Sequence, residues 1–177
     1  MKRFFLPILI FIIVGSIILI MFLPTCFVLS VSNRKNPEES FYSLDAYREG
    51  FIISYTHSVN KGRVHDFYHI NDLNRSDLIL DKTIFVSYGA GIPEPDETPG
   101  ARFSVIDNGY EISNLNRTVS RLVMAVGIVA NHSIAINDED LKEIYLTDYF
   151  APQTSIILET KRISLIEYIF TKNRRIL

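Results

Sequence analysis

Three observations predict an all-β chain, an antiparallel β-sandwich or partly open barrel, preceded by one N-terminal transmembrane helix. The first is an uncharged apolar run, "FFLPILIFIIVGSIILIMFL", residues 4–23, directly after Lys2 and Arg3. The second is a succession of short runs with period-2 alternation, separated by turn signals, along the remainder. The third is a pair of turn dipeptides, Lys61-Gly62 and Asn108-Gly109, each between alternating stretches.

The bulk composition sets the bounds. Of 177 residues, 47% are apolar and 21% charged, which suits a globular chain of one domain plus an extra segment. A formal net charge of −2 gives no basic footprint for nucleic acid. The one cysteine, Cys26, excludes an intrachain disulfide and a cysteine-based zinc site.

The N-terminal run matches the ~20 residues that carry a helix across a bilayer, the conformation in which one segment satisfies its own backbone groups in lipid. Lys2 and Arg3 should remain in the cytoplasm and place the C-terminal domain outside it, as a single-pass protein of the cell membrane. Residues 1–26 then form a signal-anchor, and residues 27–177 an extracytoplasmic β-rich domain. The exported part has 16 basic against 20 acidic side chains, a charge of −4. A cleaved signal is the rival reading, but its apolar region is usually ~7–15 residues and no Ala-x-Ala-like site follows here. Leu23-Pro24-Thr25-Cys26 also hints at a lipoprotein box, with Thr25 at the cleavage position.

In chain order, residues 27–31 suit a first strand and residues 32–40, charged and broken by Pro37, a loop. Phe51, Ile53, Tyr55, His57 and Val59 alternate with smaller or polar residues, and Val64, Asp66, Tyr68 and Ile70 do the same. Further strands are expected over residues 78–80, 83–88, 103–106, 110–112, 122–130, 133–136 and 155–160. Residues 89–100, with three prolines, read as a loop. Asp138 can start a helical turn within residues 137–146, and "ISLIEYIF", residues 163–170, suits a helix or a strand equally.

A two-residue loop at Lys61-Gly62 sets Val59 opposite Val64, His57 opposite Asp66, Tyr55 opposite Tyr68 and Ile53 opposite Ile70. Every apolar position then meets an apolar or aromatic one, and the polar position on each strand meets the other. Facing Cβ atoms ~4.5–5.5 Å apart allow an imidazole–carboxylate hydrogen bond. Such a pair offsets the cost of burying a carboxylate. It either orients His57 toward a ligand or simply fixes the register.

Catalytic groups are not assembled by this pattern. Ser58 follows His57 and points to the opposite face. Ser87 lies in "SYGAG", which is not a Gly-x-Ser-x-Gly elbow. Gly89-x-Gly91 lacks the third glycine and the helix of a dinucleotide site, but glycines there allow a ligand or another backbone to approach closely. His65 and His69 lie ~13 Å apart on one strand face, too far to chelate one ion, and are expected to face solvent. No metal, cofactor or catalytic residue is therefore expected. The possible pocket or interface comprises Tyr55, Ser58, Tyr68, Ser87, Tyr88, Gly89 and Gly91 beside His57 and Asp66.

The stretches "FIISYTHSVNKGRVHDFYHI" and "FVSYGAGIPE" resemble the bacterial family catalogued as domain of unknown function 1850. The shared pattern is an aromatic, Tyr-x-His-Ser-Val, Val-x-acid-x-aromatic, then Ser-Tyr-Gly-x-Gly-aliphatic-Pro. It falls on Phe51, Tyr55, His57, Ser58, Val59, Val64, Asp66, Tyr68, Ser87, Tyr88, Gly89, Gly91, Ile92 and Pro93. Family members usually carry glutamate at the position of Asp66. The resemblance implies a small exported or membrane-anchored protein, accessory to a tripartite ATP-independent periplasmic (TRAP) transporter of the TAXI type, with its permease or solute receptor as partner. A free-standing ligand-binding module using the His57 and Asp66 region is the alternative, and a hydrolase the third reading.

Overall fold

A computed structural model describes residues 5–71, 73, 75–87, 92, 98–138 and 141–171. Their order is α1 (Phe5–Phe22), β1 (Pro24–Asn33), β2 (Ser40–Ser43), α2 (Asp45–Glu49), β3 (Phe51–Thr56), β4 (Arg63–Ile70), β5 (Leu78–Phe85), β6 (Arg102–Ile106), β7 (Gly109–Ser113), β8 (Arg117–Val119), β9 (Leu122–Ala125), β10 (Ser133–Ile136), β11 (Ile144–Tyr145), β12 (Ser155–Ser164) and α3 (Leu165–Phe170). A 3-10 turn, Leu146–Asp148, precedes β12.

The strands form two antiparallel sheets. The smaller runs β2-β1-β12-β9, and the larger β11-β10-β3-β4-β5-β7-β6, with β8 paired to β5. Leu29, Val31, Ile156 and Leu158 of the smaller sheet share one buried cluster with Phe51, Ile53, Val64, Leu80, Phe85, Ile112 and Ile134 of the larger. The sheets therefore pack face to face as a β-sandwich, each fully buried aliphatic or aromatic side chain being worth about 1.5–3 kcal/mol.

β5 is one strand, although its sequence reads as two runs. Phe67 pairs with Lys82 and Tyr68 with Leu80, so Asp81 is an extra residue in a bulge. The bulge reverses the parity of the strand. Leu78 and Leu80 face the core before it, and Thr83 and Phe85 after it.

The β3–β4 register differs from expectation. Phe51 faces Tyr68, Ile53 faces Asp66, Tyr55 faces Val64 and Thr56 faces Arg63. His57 lies beyond β3, its N–H donating to the Gly62 carbonyl at 2.8 Å. The connection is thus Ser58 to Lys61, with Lys61 at φ 60°, and not the dipeptide Lys61-Gly62. Side chains explain the longer loop. The His57 Nδ1 accepts from the backbone N–H groups of Val59 (3.2 Å) and Asn60 (3.4 Å). Asn60 Oδ1 accepts from Gly62 N–H at 2.9 Å. The partners slide by an even number of positions, so the side chains that remain paired keep their predicted faces while their neighbours change. Phe51 now stacks on Tyr68 at 5.2 Å, and Val59, expected inside, is 77% exposed.

Other boundaries move for local reasons. β9 stops at Ala125 and the chain turns over residues 128–131. Asp138 starts no helix among the described residues, although its Oδ1 accepts from Leu141 N–H at 3.1 Å. The stretch 163–170 is both strand end and helix, because the Ser164 hydroxyl accepts from Glu167 N–H at 3.1 Å and caps α3.

α1 is exposed on every side where it is described, and only Leu23 separates it from β1. No helix among the described residues is long and apolar enough to cross a membrane. The 18 residues of α1 span about 27 Å at 1.5 Å each, against about 30 Å of hydrocarbon. The run begins with Phe4, outside the described residues.

Candidate functional site

The turn from His57 to Gly62 sits beside the end of β5. Asn60 Nδ2 donates to the Ser87 carbonyl at 2.7 Å, which joins the two sequence motifs in space. Ile92 is 6% exposed and belongs to the core, so the second motif is pinned inward downstream as well. Ser58 and Ser87 are exposed, and the Ser58 carbonyl accepts from Lys61 Nζ at 2.6 Å. Tyr88, Gly89 and Gly91 lie outside the described residues.

His57 and Asp66 are not opposite one another, which corrects the expected cross-strand pair. His57 is buried and organises the turn. Asp66 sits between Ile53 on β3 and Thr83 on β5, and accepts from the Thr83 hydroxyl at 2.7 Å. Four residues separate Ile53 from His57, roughly 13 Å along a strand.

Asp66 instead anchors a polar island on the core face. Burial pushes its carboxyl up to about 6, against the opposing effect of the Thr83 hydrogen bond. The Tyr55 and Tyr68 phenols are raised, first by burial and then by the Asp66 charge. Arg117 acts on Tyr68 in the opposite direction. Apart from their hydroxyls, both rings are ordinary core: Tyr55 lies 5.9 Å from the His132 ring, and Tyr68 stacks on Phe51. His132 thus approaches Tyr55, with its Nδ1 accepting from Gly127 N–H at 3.2 Å.

A second polar group, on the outer face of the larger sheet, escaped the sequence reading. Ser54 and His65 face each other across β3 and β4, with Oγ and Nδ1 2.8 Å apart. Glu143 Oε1 lies 4.0 Å from the same Nδ1. Arg63 donates to Glu143 (3.2 Å), to the Ser133 hydroxyl (2.5 Å) and to the Asn131 carbonyl (2.7 Å). A cavity of about 230 Å³ opens here, lined by Ser54, His65, Phe67, Leu141 and Glu143 among others. His65 is half-buried, contrary to the solvent-facing expectation, and its pKa is held down by desolvation. Glu143 acts upward on it and Arg63 downward. His69 is more open and engages Asp81 at 2.6 Å.

The Ser54, His65 and Glu143 set contains the residue types of a hydrolytic triad, but serine and acid approach the same ring nitrogen. A working triad needs them on opposite nitrogens. Ser54 is also 1% exposed, which closes the hydroxyl to a substrate. Ser54 and His65 were legible as residues of one face in any register of matching parity, but the sequence selected neither their direct pairing nor the folding of Glu143 over them.

The family described as Domain of unknown function (DUF1850) matches residues 51–142. The chain belongs to this family, and the match spans the polar island, the turn at His57 and most of the outer-face cluster. No curated protein and no solved structure matches the chain. Among the described residues no group of three or more His, Cys, Asp or Glu side chains is placed to hold a metal ion.

Proposed function

We propose that the chain is a membrane-anchored, extracytoplasmic accessory domain of a TAXI-type TRAP solute transporter, with no catalysis of its own. The observation that carries the location is α1: an uncharged helix, apolar on all sides, exposed over nearly all of its described length and joined to the sandwich by one residue. An apolar helix whose surface is left almost wholly uncovered by its own domain calls for an apolar surrounding. Lys2 and Arg3 ahead of it orient the sandwich outward. The partner, a permease or solute receptor, rests on the family resemblance. The absence of catalysis rests on the covered Ser54 hydroxyl and on the approach of Ser54 and Glu143 to the same nitrogen of His65. Contact with the transporter uses the 87–100 loop, which is held at its start by Asn60 and at buried Ile92.

Deleting the gene tests the role. Uptake of the transporter's solute falls while receptor–solute affinity is unchanged; unchanged uptake overturns the accessory reading. A free-standing binding module is the second reading, favoured by the outer-face cavity beside His65. Calorimetry that detects a small carboxylic acid bound by the purified protein, and lost in His65→Ala, moves the assignment there.

A further inference from the structure

The end of the sandwich nearest α1 combines apolar and basic groups in a pattern the transporter role does not require. Leu73, in the connection between β4 and β5, is 98% exposed. Phe170 and Ile169 of α3 are 79% and 48% exposed, and α3 lies against α1. A basic cleft adjoins these apolar points along the chain, Arg75 two residues after Leu73 and Arg162 three before α3. Arg75 and Arg162 hold their guanidinium groups 5.3 Å and 4.9 Å from the centre of the Phe27 ring, which itself stacks on Tyr47 at 5.7 Å. A cavity of about 220 Å³ is lined there by Phe27, Arg75, Ser76, Thr160, Lys161 and Arg162. Arg75 also lines a neighbouring cavity with Arg48 and His69. Of these cations Lys161 is partly balanced by Glu159 at 3.8 Å. Phe27 is five residues past the end of α1, at most about 17 Å away along an extended chain.

We propose that this end of the sandwich is a membrane-docking face for anionic phospholipid. Leu73, Ile169 and Phe170 enter the boundary between headgroups and acyl chains, and the cleft between Arg75 and Arg162 receives a lipid phosphate. Exposed apolar side chains flanked by cations are the composition that binds an anionic interface. Arginine suits a phosphate because its planar fork donates in pairs. The inference rests on the anchor reading of α1, which delivers this end, and not the opposite one, to the bilayer.

The chain has no tryptophan, so one introduced tryptophan is a unique reporter. Full-length Leu73→Trp, Phe170→Trp and Ile13→Trp proteins are reconstituted in phosphatidylcholine vesicles, with and without phosphatidylglycerol, and emission is read with brominated lipids. Leu73→Trp and Phe170→Trp are expected to show blue-shifted emission that brominated lipid quenches. Quenching should be stronger with phosphatidylglycerol, and that increment should be lost when Arg75→Gln and Arg162→Gln are added. Water-like, unquenched emission at residues 73 and 170, with quenching at residue 13, overturns the docking face and leaves the anchor standing. An unquenched residue 13 overturns the anchor and the docking face together. Quenching that ignores phosphatidylglycerol, or that free inorganic phosphate matches by protecting the arginines from phenylglyoxal as well as lipid does, overturns the anionic-lipid assignment.

Discussion

Asp66 is the residue whose surroundings differ most from those its sequence position suggests. It shares the core face with Val64 and Tyr68, and it accepts a hydrogen bond from the Thr83 hydroxyl. Its folded pKa, near 6, exceeds the ordinary value of 3.8. Below pH ~4 both folded and unfolded chains hold the proton, and the group costs nothing. Between pH ~4 and ~6 the unfolded chain has lost it and the folded chain has not, so stability falls as pH rises. Above ~6 the loss levels off at about 3 kcal/mol. Asp66→Asn keeps an acceptor for the Thr83 hydroxyl and removes the charge. Urea unfolding should show the variant more stable than wild type at pH 7.5 by roughly 1–3 kcal/mol, with the pH 4 to 6 decline flattened. Equal pH profiles would mean that the carboxylate is solvated. The same reasoning applies to His65, which feels Arg63 and Glu143 with opposite signs. Arg63→Gln leaves the acid in place and removes the repulsion, so the His65 pKa should rise in an NMR titration. A fall or no change would detach Arg63 from the cluster.

At the level of the element, the β3–β4 hairpin shows what sequence pattern carries and what it omits. Alternation made the core face of both strands legible, because period 2 survives any even slide of the register. It could not select among even slides. That choice was made by His57 and Asn60, whose side chains bind the turn backbone and lengthen the loop. The apparent gap in β5 was the shadow of the Asp81 bulge, and the ambiguity of residues 163–170 was a real junction capped by Ser164. β2, α2, β8 and β11 are too short for periodicity to register, at two to five residues each. Gly50, between α2 and β3, is a constraint invisible to pattern. It has φ +84°, and a Cβ there would lie 2.5 Å from the Tyr68 carbonyl oxygen. Gly50→Ala should cost roughly 1–3 kcal/mol, read as a lower urea midpoint. An unchanged midpoint would show that the β3–β4 edge yields easily.

For the molecule as a whole, two sheets closing over one apolar cluster follow from short alternating strands and turns, and this much was legible without coordinates. The outer-face cluster was not, because it needs Glu143, 80 residues after Arg63, to fold across β4. The basic cleft at Phe27 was hidden for the same reason, its arginines being remote in sequence. The 87–100 segment is fastened at Asn60 and Ile92, and the core of the sandwich leaves α1 largely uncovered. Association with a transporter is the central claim, and it is most directly tested by purifying the tagged full-length protein in mild detergent and identifying what accompanies it. The account predicts the TRAP permease or its solute receptor in stoichiometric yield, lost when residues 93–99 are replaced by a glycine-serine linker of equal length. Recovery of the intact, folded protein with neither permease nor receptor would contradict it.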